Sequence, residues 1–457
     1  MKLSKPSKET IGRYRWIIVS LLLFSTTINY MDRNVIGFLK EYYCSSQGFG
    51  WSNTDFANVT SVFTFFYAIF TIFAGALIDK IGTKLGLALS LIVWSFAGIA
   101  NAFVGKLVVM HMIIRSVFGA GEAGNFPASI KTVAEWFPKK ERALATGIFN
   151  SGSNIGAMIS ALFVPWCLIF FGNSLGWKMA FILTGGIGFL WLIFWFWLFD
   201  SPAKLKEKGK LSADEFEYIH SDMDEKLAAE ASKAAGNPEK VSWFKLLTYR
   251  QTWSFVAGKF MTDGVWWFLL FWLPDYLTKQ FGMTTKQVMW PTFIVFGVAI
   301  VGSIFGGGVP MFFMNRGWQT YKARMTSMFL IALLPTTLIL TQYFGNVAHF
   351  GYYASILAVA VICVGAAAHQ AWSANLFTTV SDMFPKKAVG SITGIGTFAG
   401  GIGGVLLQKL AGWMTDLYAA HPATAYTILF AVCASAYLIA WSIMKILVPR
   451  FKLITDL

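Results

Sequence analysis

Long apolar stretches recur along the whole chain, and they restrict its fold more than any other feature. A helix needs about 20 apolar residues to cross the hydrocarbon core of a bilayer. Runs of this character begin at 16–30, 57–78 and 85–102, and roughly twelve spans are countable. With 56% hydrophobic and 13% charged residues, the chain carries more apolar surface than a water-soluble fold can hide. Lipid offers no partner to a backbone N–H or C=O, so each span must satisfy its own groups and is a helix. The expected fold class is an all-α membrane protein of about twelve transmembrane helices.

The net charge of +14 points to topology and not to nucleic acid. Cations gather in the leader, at Lys80 and Lys84, at Lys139, Lys140 and Arg142, after Asp200, at Arg316, Lys322 and Arg324, at Lys386 and Lys387, and near Lys445. These are alternate loops. The intervening loops are poor in Lys and Arg, so the positive-inside bias places both termini in the cytoplasm of a cell inner membrane. The basic start MKLSKPSKETIGRYRW resembles a signal peptide, but no small-residue cleavage site follows before Asp32-Arg33. It reads as a leader into a retained first helix. Cys44, Cys167, Cys363 and Cys433 are scattered without CxxC spacing, so neither a metal site nor a disulfide framework is expected, and no cofactor is expected either.

Residues 201–252 turn to Lys, Glu, Asp, Ser and Ala and divide the chain into halves, 1–200 and 253–457, of about six spans each. Ser212 followed by Glu215 fits a capping box and predicts a short helix in this linker. The halves are related in sequence. EWFPKKERALATGI (135–148) is echoed by DMFPKKAVGSITGI (382–395), with Phe-Pro-Lys-Lys and Thr-Gly-Ile both repeated at a spacing of 247 residues. Two such parallel repeats suit a transporter that rocks one bundle against the other.

Charged residues inside spans are costly and mark cavities or charge partners. RSVFGAGEAGNF (115–126) holds Arg115 and Glu122 seven apart, on one helix face and about 10 Å apart along the axis. They form either a structural charge pair or a functional cavity face, while Gly119, Gly121 and Gly124 let neighbouring helices approach. In NYMDRNVIGFLK, Asp32 and Arg33 follow Tyr30 and precede further apolar residues, which argues against a mere helix end. Arginine binds a carboxylate through two parallel hydrogen bonds, and a desolvated Asp32 or Glu122 has reason to take up a proton. These are the parts of a proton-coupled carrier of an organic anion.

In the fifth span Asn150, Ser153 and Asn154 form one polar stripe, suited to sugar hydroxyls or to helix packing. The tenth span concentrates His369, Gln370, Trp372, Ser373 and Asn375; His369 lies 247 residues after Glu122, at the repeat-equivalent place, and is alternatively a packing residue. Trp266, Trp267 and Trp272 stack on a sugar or, for each taken singly, belong to an interfacial belt. Tyr67 lines the cavity or snorkels.

GALIDKIGTKLG, with Gly75, Asp79, Gly82 and Lys84, resembles the loop signature G-x-x-x-D-x-x-G-x-[RK] of the major facilitator superfamily. NYMDR, RSVFGAGEAGNFPA and EWFPKKERALATGIFNSGSNIGA are similar to the anion:cation symporters of that superfamily. AHQAWSANLFTTVSDMF and FNSGSNIGAMI resemble hexuronate carriers, which take up glucuronate and galacturonate with protons. The resemblance implies two pseudo-symmetric six-helix bundles and a substrate site of Arg33, Tyr30, Tyr67, Asn150, Ser153, Asn154, His369, Gln370, Trp372, Asn375 and Thr397. In it Arg33 holds the substrate carboxylate. Asp32 and Glu122 are the proton-linked carboxylates, with Arg115 their coupling partner, and Gly75, Asp79, Gly82 and Lys84 form a gate. The chain departs from galactonate-type carriers, which have glutamine where Ser153 stands and asparagine where Thr397 stands. The second-half loop around MFFMNRGWQTYKAR has Asn315 and no aspartate.

The function expected is proton-coupled uptake of a hexuronate by a protein working as a monomer in the lipid bilayer, with no nucleic-acid partner. The alternative is symport of another organic anion, such as an aldonate, an aromatic acid or a dicarboxylate. An enzyme is not expected, since no HExxH or paired Ser/His motif stands out, and a sensor would add a signalling domain.

Overall fold

The computed structural model describes residues 12–221, 243–384, 386–450 and 454, and among them the chain is helical with no strand. The first six spans are Tyr14–Phe38, Asn53–Ile81, Thr83–Ala100, a fourth in two pieces (Val108–Glu122 and Asn125–Trp136), Lys139–Phe171 and Asn173–Leu198. The second six are Arg250–Phe281, Thr285–Met314, a ninth that starts as Thr320–Leu333 and tightens into the 3-10 turn Leu334–Leu340, Ala354–Met383, Lys386–Leu417 and Pro422–Leu447. Among the described residues, nine of the twelve are long and apolar enough to cross a membrane on their own. The first, fourth and seventh are not among these nine, and they carry the interior charges Asp32, Arg33, Arg115, Glu122, Lys259, Asp263 and Asp275. Of these three, the first and seventh are mostly buried by other helices, while the fourth keeps an exposed apolar face at Val109, Ile113 and Val117.

The repeat seen in the sequence reappears in the packing. In the first half, span 1 packs on 5 and 6, and span 2 on 4; in the second, span 7 packs on 11 and 12, and span 8 on 10. The halves meet through 2 against 11 and 5 against 8, which are repeat-equivalent pairs, and through 1 against 7. Glu135 accepts a bond from Thr83 Oγ1 at 2.9 Å. Its repeat mate Asp382 accepts one from Arg324 Nε at 2.5 Å. Both carboxylates therefore pin the end of a fourth or tenth span to the start of the preceding odd-numbered one.

Two one-residue turns depend on glycine. Gly82 joins spans 2 and 3 at φ +86°, and Gly172 joins spans 5 and 6 at φ +73°, a region that side chains with a Cβ rarely adopt. Elsewhere small residues let helices touch, as the sequence suggested for Gly119, Gly121 and Gly124: a Cβ on them would lie 2.5 Å from the Phe63 carbonyl, 2.8 Å from the Trp94 amide and 1.9 Å from Ser90 Oγ. A Cβ on Gly156 would come within 2.4 Å of the Thr27 carbonyl, so spans 1 and 5 are held backbone to backbone. Gly156→Val is expected to part these helices and cost about 1–3 kcal/mol as overpacking. A lowered unfolding temperature of the purified protein checks this, and an unchanged one rules it out.

In the linker, Ser212 caps Ala213–Ile219 by accepting from the Glu215 amide at 3.2 Å, but the reciprocal half of the expected capping box is absent. The Glu215 side chain instead accepts from the Tyr14 and Arg15 amides, both at 3.1 Å, and so caps the first span. A carboxylate at a helix N-terminus satisfies orphan amides and complements the dipole. Arg15 ties the same corner to Glu141 at 2.9 Å. This part of the linker therefore belongs structurally to the first bundle.

Candidate functional site

The site is built where spans 1, 2, 4 and 7 meet. Glu122 ends the first piece of the broken fourth span, and its Oε2 accepts from Arg33 Nε at 2.8 Å. Both residues are almost fully buried, at 2% and 1% exposure. Arg33 Nη2 donates to Asn29 Oδ1 at 3.2 Å, one turn back on the same helix. Aromatic rings surround the guanidinium: its Cζ lies 4.3 Å from the Tyr30 ring centre, 4.6 Å from Tyr67, 5.1 Å from Trp267 and 5.5 Å from Phe63. Each such contact is worth about 0.5–2 kcal/mol, more where water is excluded. Trp267 comes from the second half and the other three rings from the first, so the two bundles share one cation.

Arg115 and Glu122 do not form the charge pair that is one of the two readings of their spacing. The partner of Glu122 is Arg33 and not Arg115. Two turns of helix keep Arg115 away from Glu122, and its guanidinium lies instead over Phe118 and Phe63, at 5.0 and 5.4 Å. None of its three nitrogens meets a hydrogen-bond partner, nor does Oε1 of Glu122, and Asp32 has only Thr184 and Trp94 beside its carboxylate. A buried polar group without a protein partner is costly.

The remaining predicted residues divide into two groups. Asn154 and Gln370 meet across the halves, with Gln370 Nε2 donating to Asn154 Oδ1 at a long 3.5 Å. Ser153 Oγ turns back to the Asn150 carbonyl at 2.7 Å, and the Asn150 side chain is exposed. Thr397 is half-buried in span 11. The other three engage neighbouring helices of their own half. His369 stacks on Trp266 at 5.1 Å and exchanges a 2.8 Å bond with the Tyr437 hydroxyl. Trp372 packs edge-on against Tyr437, and Asn375 Nδ2 donates to the Gly306 carbonyl at 2.8 Å. Trp266, Trp267 and Trp272 are all buried, which corrects the reading of each as an interfacial belt.

At the loop signature, Lys84 pairs with Asp200 of its own half at 3.4 Å. Lys208 Nζ and the Ser201 amide also donate to Asp200, at 2.9 and 3.0 Å. Burial pushes the Asp200 carboxyl up, but these donors outweigh it and hold the group below the usual carboxylate range. A depressed value means that the tie is present above the ordinary carboxylate pKa and is lost as pH falls through the lowered one. Gly75 has open space where a Cβ would be, and the side chain of Asp79 lies outside the described residues.

Two charge clusters had no place in the sequence reading. In span 7, Lys259 Nζ pairs with Asp263 Oδ2 at 2.6 Å. The signal was present, since KFMTDGVWW sets two charges i, i+4 in an apolar run. At the end of the bundle remote from the termini, here called the distal end, Lys40 pairs with Asp275 at 2.7 Å across the halves. Asp416 joins the same end, accepting from the Asn53 and Thr54 amides at 2.9 and 2.7 Å.

Comparison with known proteins agrees with this architecture. Over 436 residues the chain is 26% identical to the hexuronate transporter of Escherichia coli (strain K12), covering 94% of each. It is 30% identical over 310 residues to the galacturonate transporter of Dickeya chrysanthemi, covering 66% of this chain and 83% of that one. The crystal structure of a D-xylose-proton symporter superposes with a TM-score of 0.69 at 15% identity, covering 94% of this chain and 98% of that one, a likeness of fold. Residues 22–408 match the profile of the Major Facilitator Superfamily, and the chain, an all-helical multi-pass membrane protein of two six-helix bundles, belongs to that family of transporters and is related to its sugar-acid carriers.

Proposed function

We propose that the chain is a proton-coupled importer of a hexuronate such as glucuronate or galacturonate, working by alternating access as a monomer in the cell inner membrane with both termini in the cytoplasm. One observation carries the reading: a buried arginine, ringed by aromatic residues of both halves, already holds a carboxylate, that of Glu122. A sugar acid offers Arg33 the same group. Glu122 and the substrate then compete for one guanidinium, and a proton on Glu122 removes its charge and hands Arg33 to the substrate. Aromatic faces suit the apolar face of a sugar ring, and Asn154 with Gln370 offer amides to its hydroxyls.

In this scheme Asp32 and Glu122 exchange protons, while Arg115 supplies a fixed positive charge to both. His369, Trp372 and Asn375 are assigned to positioning span 10, and Tyr30, Tyr67 and Arg33 to direct contact. The distal end faces the outside, and Lys84 with Asp200 steadies the cytoplasmic end.

The test is counterflow of labelled glucuronate and galacturonate in proteoliposomes, competed by aldonates, aldarates, aromatic acids and dicarboxylates. Exchange competed best by hexuronates supports the reading. Exchange competed best by another anion class assigns the chain to that class, and no exchange of any sugar acid overturns the proposal.

A further inference from the structure

The distal cluster has features that the transport scheme does not use. Lys40 is 1% exposed and Asp275 4%. Their 2.7 Å pair joins the end of span 1 to span 7, and Asp275 also accepts a bond from the Tyr426 hydroxyl of span 12. Lys40 Nζ donates to Asn53 Oδ1 at 2.7 Å and lies 4.3 Å from the centre of the Trp272 ring. Around it, Asn53 Nδ2 donates to Asp416 at 2.8 Å, Gln408 Nε2 to Thr64 Oγ1 at 2.9 Å, and Ser61 Oγ to the Val405 carbonyl at 3.5 Å. The halves are thus zipped from Lys40 inward along spans 2 and 11.

Two geometric facts go beyond a latch. Lys40 follows Arg33 by seven residues, just past the break at Leu39 that ends span 1, and so lies nearer the distal end. Its surroundings also repeat those of Arg33: a carboxylate (Asp275 here, Glu122 there), an asparagine oxygen (Asn53, Asn29) and an aromatic face from span 7 (Trp272, Trp267). When the halves part, Asp275 and Trp272 leave with the second half, and Lys40 and Asn53 stay with the first. A cavity of about 300 Å³ lies beside this end, lined by Tyr42, Gln47, Asn173 and Ser174, with Glu41 also at its wall.

Resting on the reading of the substrate as a sugar acid, we propose that Lys40 is a gated outer anion site: with the distal end open it takes the carboxylate of an incoming sugar acid on its way to Arg33, and with that end closed Asp275 takes the same place. Closure then requires the substrate to have moved inward, because two carboxylates on one ammonium would leave a net negative charge buried in the closed seam.

The experiment uses the full chain in proteoliposomes, with Ser61→Cys in a Cys44→Ser background as reporter, labelled from outside by an impermeant maleimide. Lys40→Gln or Asp275→Asn alone leaves one buried charge unpaired and is expected to raise labelling several-fold. The double variant Lys40→Gln/Asp275→Asn, which carries no such charge, returns labelling to the parent level. Its KM for external hexuronate nevertheless rises roughly tenfold, since the outer cation is gone, whereas the KM of Asp275→Asn is no higher than that of the parent. Parent-level labelling in both single variants, or a parent-level KM in the double variant, overturns the proposal. The labelling needs no substrate, so a parent protein that moves no sugar acid overturns the functional reading and the anion site with it, while the latch stands or falls on its own result.

Discussion

Arg33→Lys is expected to reduce uptake at least tenfold with the protein still folded. The charge survives, but the planar fork does not. Arginine engages Glu122 through Nε while Nη2 holds Asn29, and its flat face contacts the rings of Tyr30, Tyr67 and Trp267. An ammonium is a compact, strongly hydrated point charge that cannot bind a carboxylate through two parallel bonds or stack between rings. Losing one charge-assisted bond and part of the aromatic contact amounts to about 2 kcal/mol, roughly a thirtyfold loss of apparent affinity. Substrate binding to the purified variant, with its elution and unfolding temperature monitored, checks this. Unaltered affinity would remove Arg33 from the carboxylate.

Glu122→Gln is expected to separate binding from coupling. Glutamine keeps the shape of the protonated side chain and cannot form an ion pair, so Arg33 is permanently available to substrate. The variant should exchange hexuronate across the membrane and lose its accumulation against a gradient driven by pH. The sign of the pH dependence follows from competition for Arg33. In the wild type, raising the pH ionises Glu122, which reclaims the guanidinium, so substrate binding weakens; in the variant, binding stays flat across that range. At alkaline pH the variant should bind more tightly than the wild type, because a buried arginine without a partner is costly and the substrate carboxylate relieves it. Exchange, accumulation and the pH profile of binding measured on one preparation distinguish this from a folding defect, which would lower all three. Accumulation at the wild-type level would transfer the coupling role to Asp32.

The legible part of this protein was whatever depends on one helix at a time. Hydropathy located the spans, the 247-residue echo gave the repeat that the packing of 1 on 5 and 7 on 11 reproduces, and the small residues at 119, 121 and 124 marked contacts that the fold makes. Arg33 and Glu122 are recognisable because charges within apolar runs are conspicuous, Tyr30 and Tyr67 enter through the family resemblance, and the structure brings these four together. What escaped depends on partners from other helices. Spacing sets Arg115 and Glu122 on one face, but a side chain 10 Å away along an axis is a worse partner than one supplied by a crossing helix, and span 1 supplies Arg33. The tryptophans of span 7 read as a belt because sequence periodicity does not say whether a face meets lipid or another bundle. His369 sits at the repeat mate of Glu122, yet Tyr437 and Trp266 draw it into the packing of its own half. Lys40, Asp275 and Asp416 lie in different spans or at their ends, where a single charge is ordinary, and only the assembled halves make them a cluster.

The decisive question is whether protons move with the sugar acid. Proteoliposomes holding the purified wild-type protein, with a pH indicator in the external medium and no imposed gradient, should show external alkalinisation when hexuronate is added outside, in step with uptake of the label. Glu122→Gln vesicles, which exchange the same substrate, should show none. Hexuronate uptake at the full wild-type rate with no movement of protons, and undiminished when the pH gradient is collapsed, would contradict the account.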